Sequence, residues 1–218
     1  MPFKRLLLLF GALAPSALTG AAERPGAAVV AADQAYAALA QSHGEWTATR
    51  AVAAPHGEMF VPRRVEVQTF GKALPDPAVA TRWTPQQAWL SCDGTVGVTF
   101  GHWSLPGTEQ RGWYEAVWVQ LRSGGYKLLL RRGGTNRRQL LSKPGRKGLR
   151  AACTGTPGLP ISAPPEGTDY KLGAAHDQSL IWSSAVDDAG SISVIVSRWN
   201  GAKHVPVLID AARTSNAR

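Results

Sequence analysis

Between Gln86 and Arg132 the chain contains four short apolar runs separated by turn sequences, and this succession limits the folds that it can adopt. The connections contain Asp93-Gly94, Pro106-Gly107 and Gly124-Gly125. Alternating apolar residues joined by such turns are typical of neighbouring antiparallel strands. We therefore predict an antiparallel meander made of QQAWLSC, TVGVTFGHWSL, GWYEAVWVQL and YKLLLRR.

Two helical segments precede the meander. Apolar residues recur at helical spacing over Ala27–Ser42, where Gly44 ends the pattern, and Trp46–Ala53 predicts a second short helix stopped by Pro55 and Gly57. The sequence EMFVP then predicts a short strand, VEVQTF fits a strand or a helix, and LPDPAVATRWTP predicts a loop. We expect an α+β fold with helices packed on a strongly curved antiparallel sheet.

The C-terminal part predicts a small β extension. A basic and Pro/Gly-rich linker over 136–170 separates a first domain, 27–135, from three strands within 171–218, which are SLIWSSAV, SISVIVSRW and KHVPVLID. Asn200-Gly201 is a strong hairpin signal, because both central residues of the favoured turn need positive φ. Since a sheet this small must bury its apolar face, we expect it to pack on the first domain.

The N-terminus predicts export. Lys4 and Arg5 precede the apolar run LLLLFGALA, and small residues follow up to Ala22, which is the order of a secretory signal peptide over residues 1–22. The run is interrupted by Pro15 and is shorter than the ~20 residues that a membrane-spanning helix requires. We therefore predict a periplasmic or secreted protein.

The two cysteines, Cys92 and Cys153, predict one disulfide in an exported chain. The alternative is two independently buried thiols. Neither the Cys nor the His spacing suits a metal site, and the chain has no phosphate-binding or dinucleotide-binding fingerprint, so no metal or cofactor is predicted.

The formal net charge of +9 favours anionic partners. Export argues against nucleic acid, and the basic residues are not interleaved with aromatic ones. The densest basic stretch, Arg131–Arg150, is expected to be a solvated loop, with contact to an anionic membrane surface as the alternative.

Three stretches resemble a known superfamily. EWTATRAVAAPHGEMFVP, W..QQAWLSCDGTVGVTFGHW and WNGAKHVPVLID are similar to exported Gram-negative bacterial proteins of the nuclear transport factor 2-like superfamily. The resemblance implies helices closing a bent sheet into a cone, an apolar small-molecule pocket and a homodimer formed through the outer sheet face. It also implies an acidic residue at the end of the last strand of the first domain, where this chain has Arg131 and Arg132.

His102 and Glu115 are the first catalytic candidates. Strand alternation puts His102 nearly opposite Trp113 and diagonal to Glu115, so that a proton could pass between a histidine and a carboxylate. The alternatives are a structural His-Glu pair or two groups that point outward.

Asp33 is the third catalytic candidate, because it shares the apolar stripe of the first helix with Val29 and Tyr36. A carboxylate there could act as a base whose pKa is raised by burial, or it could pair with Arg50 of the second helix.

Eight tryptophans suit either an apolar pocket or a core. We expect a binder of an apolar small molecule or an accessory envelope protein. The alternatives are an isomerase, cyclase or hydrolase and a structural interaction module. The predicted ligand-binding residues are Trp46, Met59, Phe100, His102, Trp113 and Glu115.

Overall fold

The computed structural model of the protein describes residues 25–70, 72, 74–135, 149–159 and 166–211. The predicted signal peptide and residues 136–148 of the basic stretch lie outside these ranges. Within them, no helix combines the length and the apolar character needed to cross a membrane.

Helices come first in the chain and strands follow. The helices are α1 (Ala27–His43), α2 (Glu45–Val52) and the single turn α3 (Val67–Phe70). The strands of the described residues are β1 (Ala53–Val61), β2 (Arg63–Glu66), β3 (Arg82–Leu90), β4 (Val96–Ser104), β5 (Arg111–Gln120), β6 (Tyr126–Gly134), β7 (Leu149–Arg150), β8 (Asp169–Ala174), β9 (Leu180–Val186), β10 (Ile192–Trp199) and β11 (His204–Ala211).

The strands form two sheets. The first is seven-stranded, in the order β2-β1-β6-β5-β4-β3-β7, and the second is four-stranded, in the order β11-β10-β9-β8. In the first sheet β1 pairs with β6 and β3 pairs with β7 in parallel, whereas the other pairs are antiparallel. The second sheet is antiparallel throughout.

The seven-stranded sheet is buried on both faces. Val98 and Phe100 of β4 belong to a core shared with Trp182 and Val196 of the four-stranded sheet. The opposite face packs against α1, and the approach is close at Gly97, where an added Cβ would overlap the Val29 side chain. Double-sided burial explains why β4 and β5 consist largely of buried residues rather than alternating with exposed ones.

The predicted fold class is wrong. Strands account for 47% of the described residues and helices for 18%, so this part of the protein is mostly β, and the large sheet is mixed rather than antiparallel. The second sheet has four strands instead of the three expected. The protein is therefore not a cone of helices closing a curved antiparallel sheet.

Local sequence patterns located most of the helices and strands, but they did not show which distant strands pair with each other. The four apolar runs are β3–β6, and α1 and α2 lie where helices were predicted. Strand alternation does not reveal that β1 pairs in parallel with β6, which follows it by more than 60 residues. The missed strand β8 contains Gly173, whose bare backbone packs against the Trp182 ring.

The turn after β3 docks on the turn before β9. The Asp93 N–H donates to Asp177 Oδ2 (2.8 Å), and the Asp177 N–H donates back to Asp93 Oδ2 (2.9 Å). The Cys92 N–H donates to Ser179 Oγ (2.7 Å). Cys92 also forms a disulfide with Cys153, with a Cα–Cα distance of 5.2 Å, which confirms the predicted pairing. The disulfide attaches the chain segment around Cys153, which connects the two sheets, to the turn after β3.

Breaking this bond should destabilise the protein by about 2–4 kcal/mol, because the disulfide closes a loop of 61 residues. The measurement is urea unfolding of Cys92→Ser/Cys153→Ser against wild type, with a thiol count on denatured, unreduced wild type. Two reactive thiols per chain, or a variant as stable as wild type, would contradict the assignment.

Candidate functional site

A buried carboxylate marks the helix side of the large sheet. Asp33 lies on α1 with 0% of its surface exposed. One oxygen accepts a hydrogen bond from Trp83 Nε1 (3.0 Å) and the other accepts one from the Tyr114 hydroxyl (3.0 Å). Thr99 also hydrogen-bonds the carboxylate. Its partners therefore come from β3, β4 and β5.

Arg131 of β6 lies among the aromatic rings around this carboxylate. Its guanidinium carbon is 4.1 Å from the ring centroid of Trp83, 4.9 Å from that of Tyr114 and 5.0 Å from that of Tyr36. Such distances are within the range of cation–π attraction. We refer to Asp33, Tyr36, Trp83, Tyr114 and Arg131 as the arginine–aromatic cluster.

One donor of the cluster has no acceptor. Arg131 Nη1 is buried and makes no hydrogen bond to any described residue. Buried polar atoms of native proteins are nearly always hydrogen-bonded, so this nitrogen is an exception that requires an explanation.

Burial dominates the acid–base properties of the cluster. It raises the pKa of Asp33, while the Arg131 charge and the hydrogen bonds from Thr99, Tyr114 and Trp83 oppose the rise. Burial likewise raises the pKa of Tyr114 and that of Tyr36. Both tyrosines therefore keep their protons and remain available as hydrogen-bond donors.

Tyr36 is held by α2. Its hydroxyl lies 2.7 Å from Thr49 Oγ1, and Thr49 Oγ1 donates to the Glu45 carbonyl (2.6 Å). Because the Thr49 proton is used in that bond, Tyr36 is the donor to Thr49. Its ring is thereby fixed beside Trp83, with the centroids 4.6 Å apart.

A second carboxylate is buried on the opposite face of the sheet. Glu115 is 1% exposed and lies next to Arg132 in the β5–β6 register. Arg132 Nη1 donates to the Ile192 carbonyl of β10 (2.8 Å), and its guanidinium lies 5.7 Å from the Trp113 centroid. Burial lowers the pKa of Arg132, and the Glu115 charge opposes that effect. This pair therefore lies between the two sheets.

The predicted strand register at His102 is confirmed. His102 pairs with Trp113, and Glu115 pairs with Phe100. His102 is exposed, whereas Glu115 is covered by the four-stranded sheet. The three catalytic candidates thus occupy different surroundings, with Asp33 beneath α1, Glu115 between the sheets and His102 at the surface.

The predicted ligand-binding residues do not line one space. Phe100 and Trp113 belong to the core between the sheets. Trp46 lies on α2 with its ring against Phe70, at a centroid distance of 6.0 Å. Met59 pairs with Arg131 across β1 and β6, which puts it beside the arginine–aromatic cluster.

The sequence analysis identified Asp33 as a candidate, but it did not predict that Trp83, Tyr114 and Arg131 surround it. Arg50, the partner considered for it, donates to Thr47 Oγ1 (3.0 Å), whereas the positive charge that acts on Asp33 is that of Arg131. The available signal was the position of Arg131 directly after the apolar LLL of β6. A cation there has to be buried on one face, and it then requires a counter-charge.

A groove lies between the two sheets. It has a volume of about 500 Å³ and is lined by Arg63, Arg64, Gly167, Asp169 and residues 186–190. The Arg64 side chain, 8% exposed, bonds Glu58 Oε2 (2.9 Å) and Asp169 Oδ2 (2.7 Å). Its charge is thus neutralised by the protein's own carboxylates.

No model of a known protein family matches the chain, and no curated protein sequence matches it. Membership of the nuclear transport factor 2-like superfamily stays a prediction. Among the described residues, no group of three or more His, Cys, Asp or Glu side chains is arranged to hold a metal ion.

The raised pKa of Asp33 predicts how stability varies with pH. A carboxyl whose folded-state pKa lies above its ordinary value of 3.8 stabilises the fold most below that value, and this contribution is lost as the pH rises through the folded-state pKa. The free energy of unfolding of wild type relative to Asp33→Asn should therefore fall as the pH rises.

The measurement is urea unfolding of both proteins from about pH 4 to pH 8. Asp188→Asn, in the exposed turn between β9 and β10, is the matched control. A wild-type protein that gains stability over Asp33→Asn as the pH rises would contradict the assignment.

Proposed function

We propose that the protein is an exported, non-catalytic binding protein for a small molecule, and that the arginine–aromatic cluster is its binding site. The observation that carries the proposal is the buried Arg131 Nη1, a donor without an acceptor among the described residues. Three aromatic rings around it would supply the apolar contacts typical of small-molecule sites. An acceptor atom of a ligand would satisfy the donor.

Export is supported by two observations. The Cys92–Cys153 disulfide is compatible with an extracytoplasmic, oxidising environment. The N-terminal sequence has the charge, apolar core and small residues of a secretory signal peptide. In a Gram-negative host the proposed location is the periplasm.

A binding role is favoured over catalysis because the titratable groups of the cluster are already engaged. Both oxygens of Asp33 accept hydrogen bonds, and Tyr36 donates to Thr49. These bonds hold the Asp33 carboxylate in the position from which its charge acts on Arg131, and this favours a binding role.

The four-stranded sheet covers one face of the large sheet. A homodimer stays a prediction. A small molecule is the partner we propose, and no role for nucleic acid is proposed.

The test is native mass spectrometry of the mature protein, gently extracted from an exporting host. Wild type should retain a molecule of defined mass, and Arg131→Met should lose it because the unpaired donor is gone. Arg111→Met is the matched control, because Arg111 is an exposed arginine whose side chain pairs with Glu109 in the turn before β5. The control should retain the molecule.

A second variant distinguishes loss of the binding site from loss of the fold. Asp33→Asn/Arg131→Met removes both charges and should fold without leaving one of them alone. Loss of the molecule in a folded double variant supports the site. Retention of the molecule by a folded double variant would overturn the proposal. A wild-type protein that carries no bound molecule would overturn it as well.

A further inference from the structure

We propose that the ligand of the arginine–aromatic cluster carries a carboxylate or an equivalent small anion that accepts a hydrogen bond from Arg131 Nη1, and that Asp33 takes up one proton when it binds. The inference rests on the proposed function and specifies the chemical class of the ligand. It follows from the charges that the fold has brought together around one buried donor.

The Arg131 guanidinium determines which chemical group of a ligand fits the site. A guanidinium offers a planar fork of N–H groups that matches the oxygens of a carboxylate, and a charge-assisted bond of this kind is roughly twice as strong as a neutral one. The centroids of three aromatic rings lie 4.1–5.0 Å from the guanidinium carbon, so the apolar part of a ligand would contact these rings while its acceptor bonds an N–H group. Nη1 is the nitrogen that has no hydrogen-bond partner among the described residues.

The charges that face this position come from four elements. Asp33 and Tyr36 lie on α1, Glu45 on α2, Tyr114 on β5 and Arg131 on β6. Glu45 acts on Tyr36, and its Oε2 accepts the Thr81 N–H (2.9 Å). Asp33 and Arg131 are therefore the two opposite charges in the interior of the cluster.

A bound anion would disturb this balance. With Asp33 ionised, the anion would place two negative charges beside one half-buried guanidinium, and an uncompensated charge in the interior is strongly unfavourable. Protonation of Asp33 restores neutrality with the proton coming from solvent. Burial already raises the pKa of Asp33, which favours this protonation.

The hydrogen bonds of the cluster can accommodate the added proton. Trp83 Nε1 can only donate, so the oxygen that it contacts, Asp33 Oδ1, has to stay an acceptor. The other oxygen, Oδ2, faces the Tyr114 hydroxyl, which can either donate or accept. The proton therefore resides on Oδ2 and is donated to the Tyr114 oxygen.

The experiment compares benzoate with benzamide, which has the same ring without the negative charge. Titration calorimetry in two cationic buffers of different ionisation enthalpy gives both the affinity and the number of protons taken up. Wild type should bind benzoate at least tenfold more tightly than benzamide. Above the pKa of Asp33 it should take up close to one proton, and its affinity should fall about tenfold per pH unit.

Asp33→Asn separates the two parts of the inference. The asparagine oxygen still accepts from Trp83 but carries no charge, so benzoate should bind at least as tightly as to wild type, without proton uptake and without the pH dependence. Asp188→Asn, an exposed turn variant, should keep the wild-type uptake. Folding of each variant is checked by circular dichroism.

Equal affinity for benzamide, absence of benzoate binding, or a wild-type affinity that does not fall with rising pH would overturn the inference. Unchanged proton uptake in Asp33→Asn would also overturn it. A neutral molecule retained in the mass spectrum of the wild-type protein would leave the proposed function standing while excluding the anion. A bare wild-type chain would remove the proposed function itself, so the two failures are distinguishable.

Discussion

Two adjacent arginines on β6 hold a charge on each face of the central sheet, and the packing of both faces depends on how those charges are compensated. Successive side chains of a strand point to opposite faces, so Arg131 is directed toward α1 and Arg132 toward the four-stranded sheet. Each lies near one buried carboxylate, Asp33 or Glu115. An arginine in such a position without its carboxylate would be an uncompensated buried cation.

This arrangement links the two ends of the chain. Asp33 belongs to the first helix, and Arg132 also donates to the Ile192 carbonyl of β10 in the C-terminal sheet. The central sheet therefore carries polar contacts in both directions as well as apolar ones. The disulfide and the paired turns around Asp93 and Asp177 fix the same two sheets at another point.

Local sequence signals were sufficient for most of the elements and for one strand register. Alternation and turn residues located β3–β6, and they placed His102 opposite Trp113. They could not determine which face of β4 meets the helices, because both faces are apolar: Val98 faces one core and Gly97 packs under Val29. The predicted ligand-binding residues were consequently divided between two sides of the sheet.

The candidate site was harder to predict for a related reason. Asp33 was recognisable as a carboxylate on an apolar stripe, but its partners Trp83, Tyr114 and Arg131 follow it by 50 residues or more. Only the order of strands in the sheet brings them together. That order includes the parallel pairing of β1 and β6, which no local pattern indicates.

A double-mutant cycle on Asp33 and Arg131 tests the compensation of charge most directly. At neutral pH, Arg131→Met should lower the free energy of unfolding, because it removes the positive charge that opposes the desolvation of the buried Asp33 carboxylate. Asp33→Asn/Arg131→Met should be more stable than Arg131→Met, with a coupling energy of at least about 1 kcal/mol. Additive effects of the two substitutions would contradict the account, because they would mean that neither charge compensates the other.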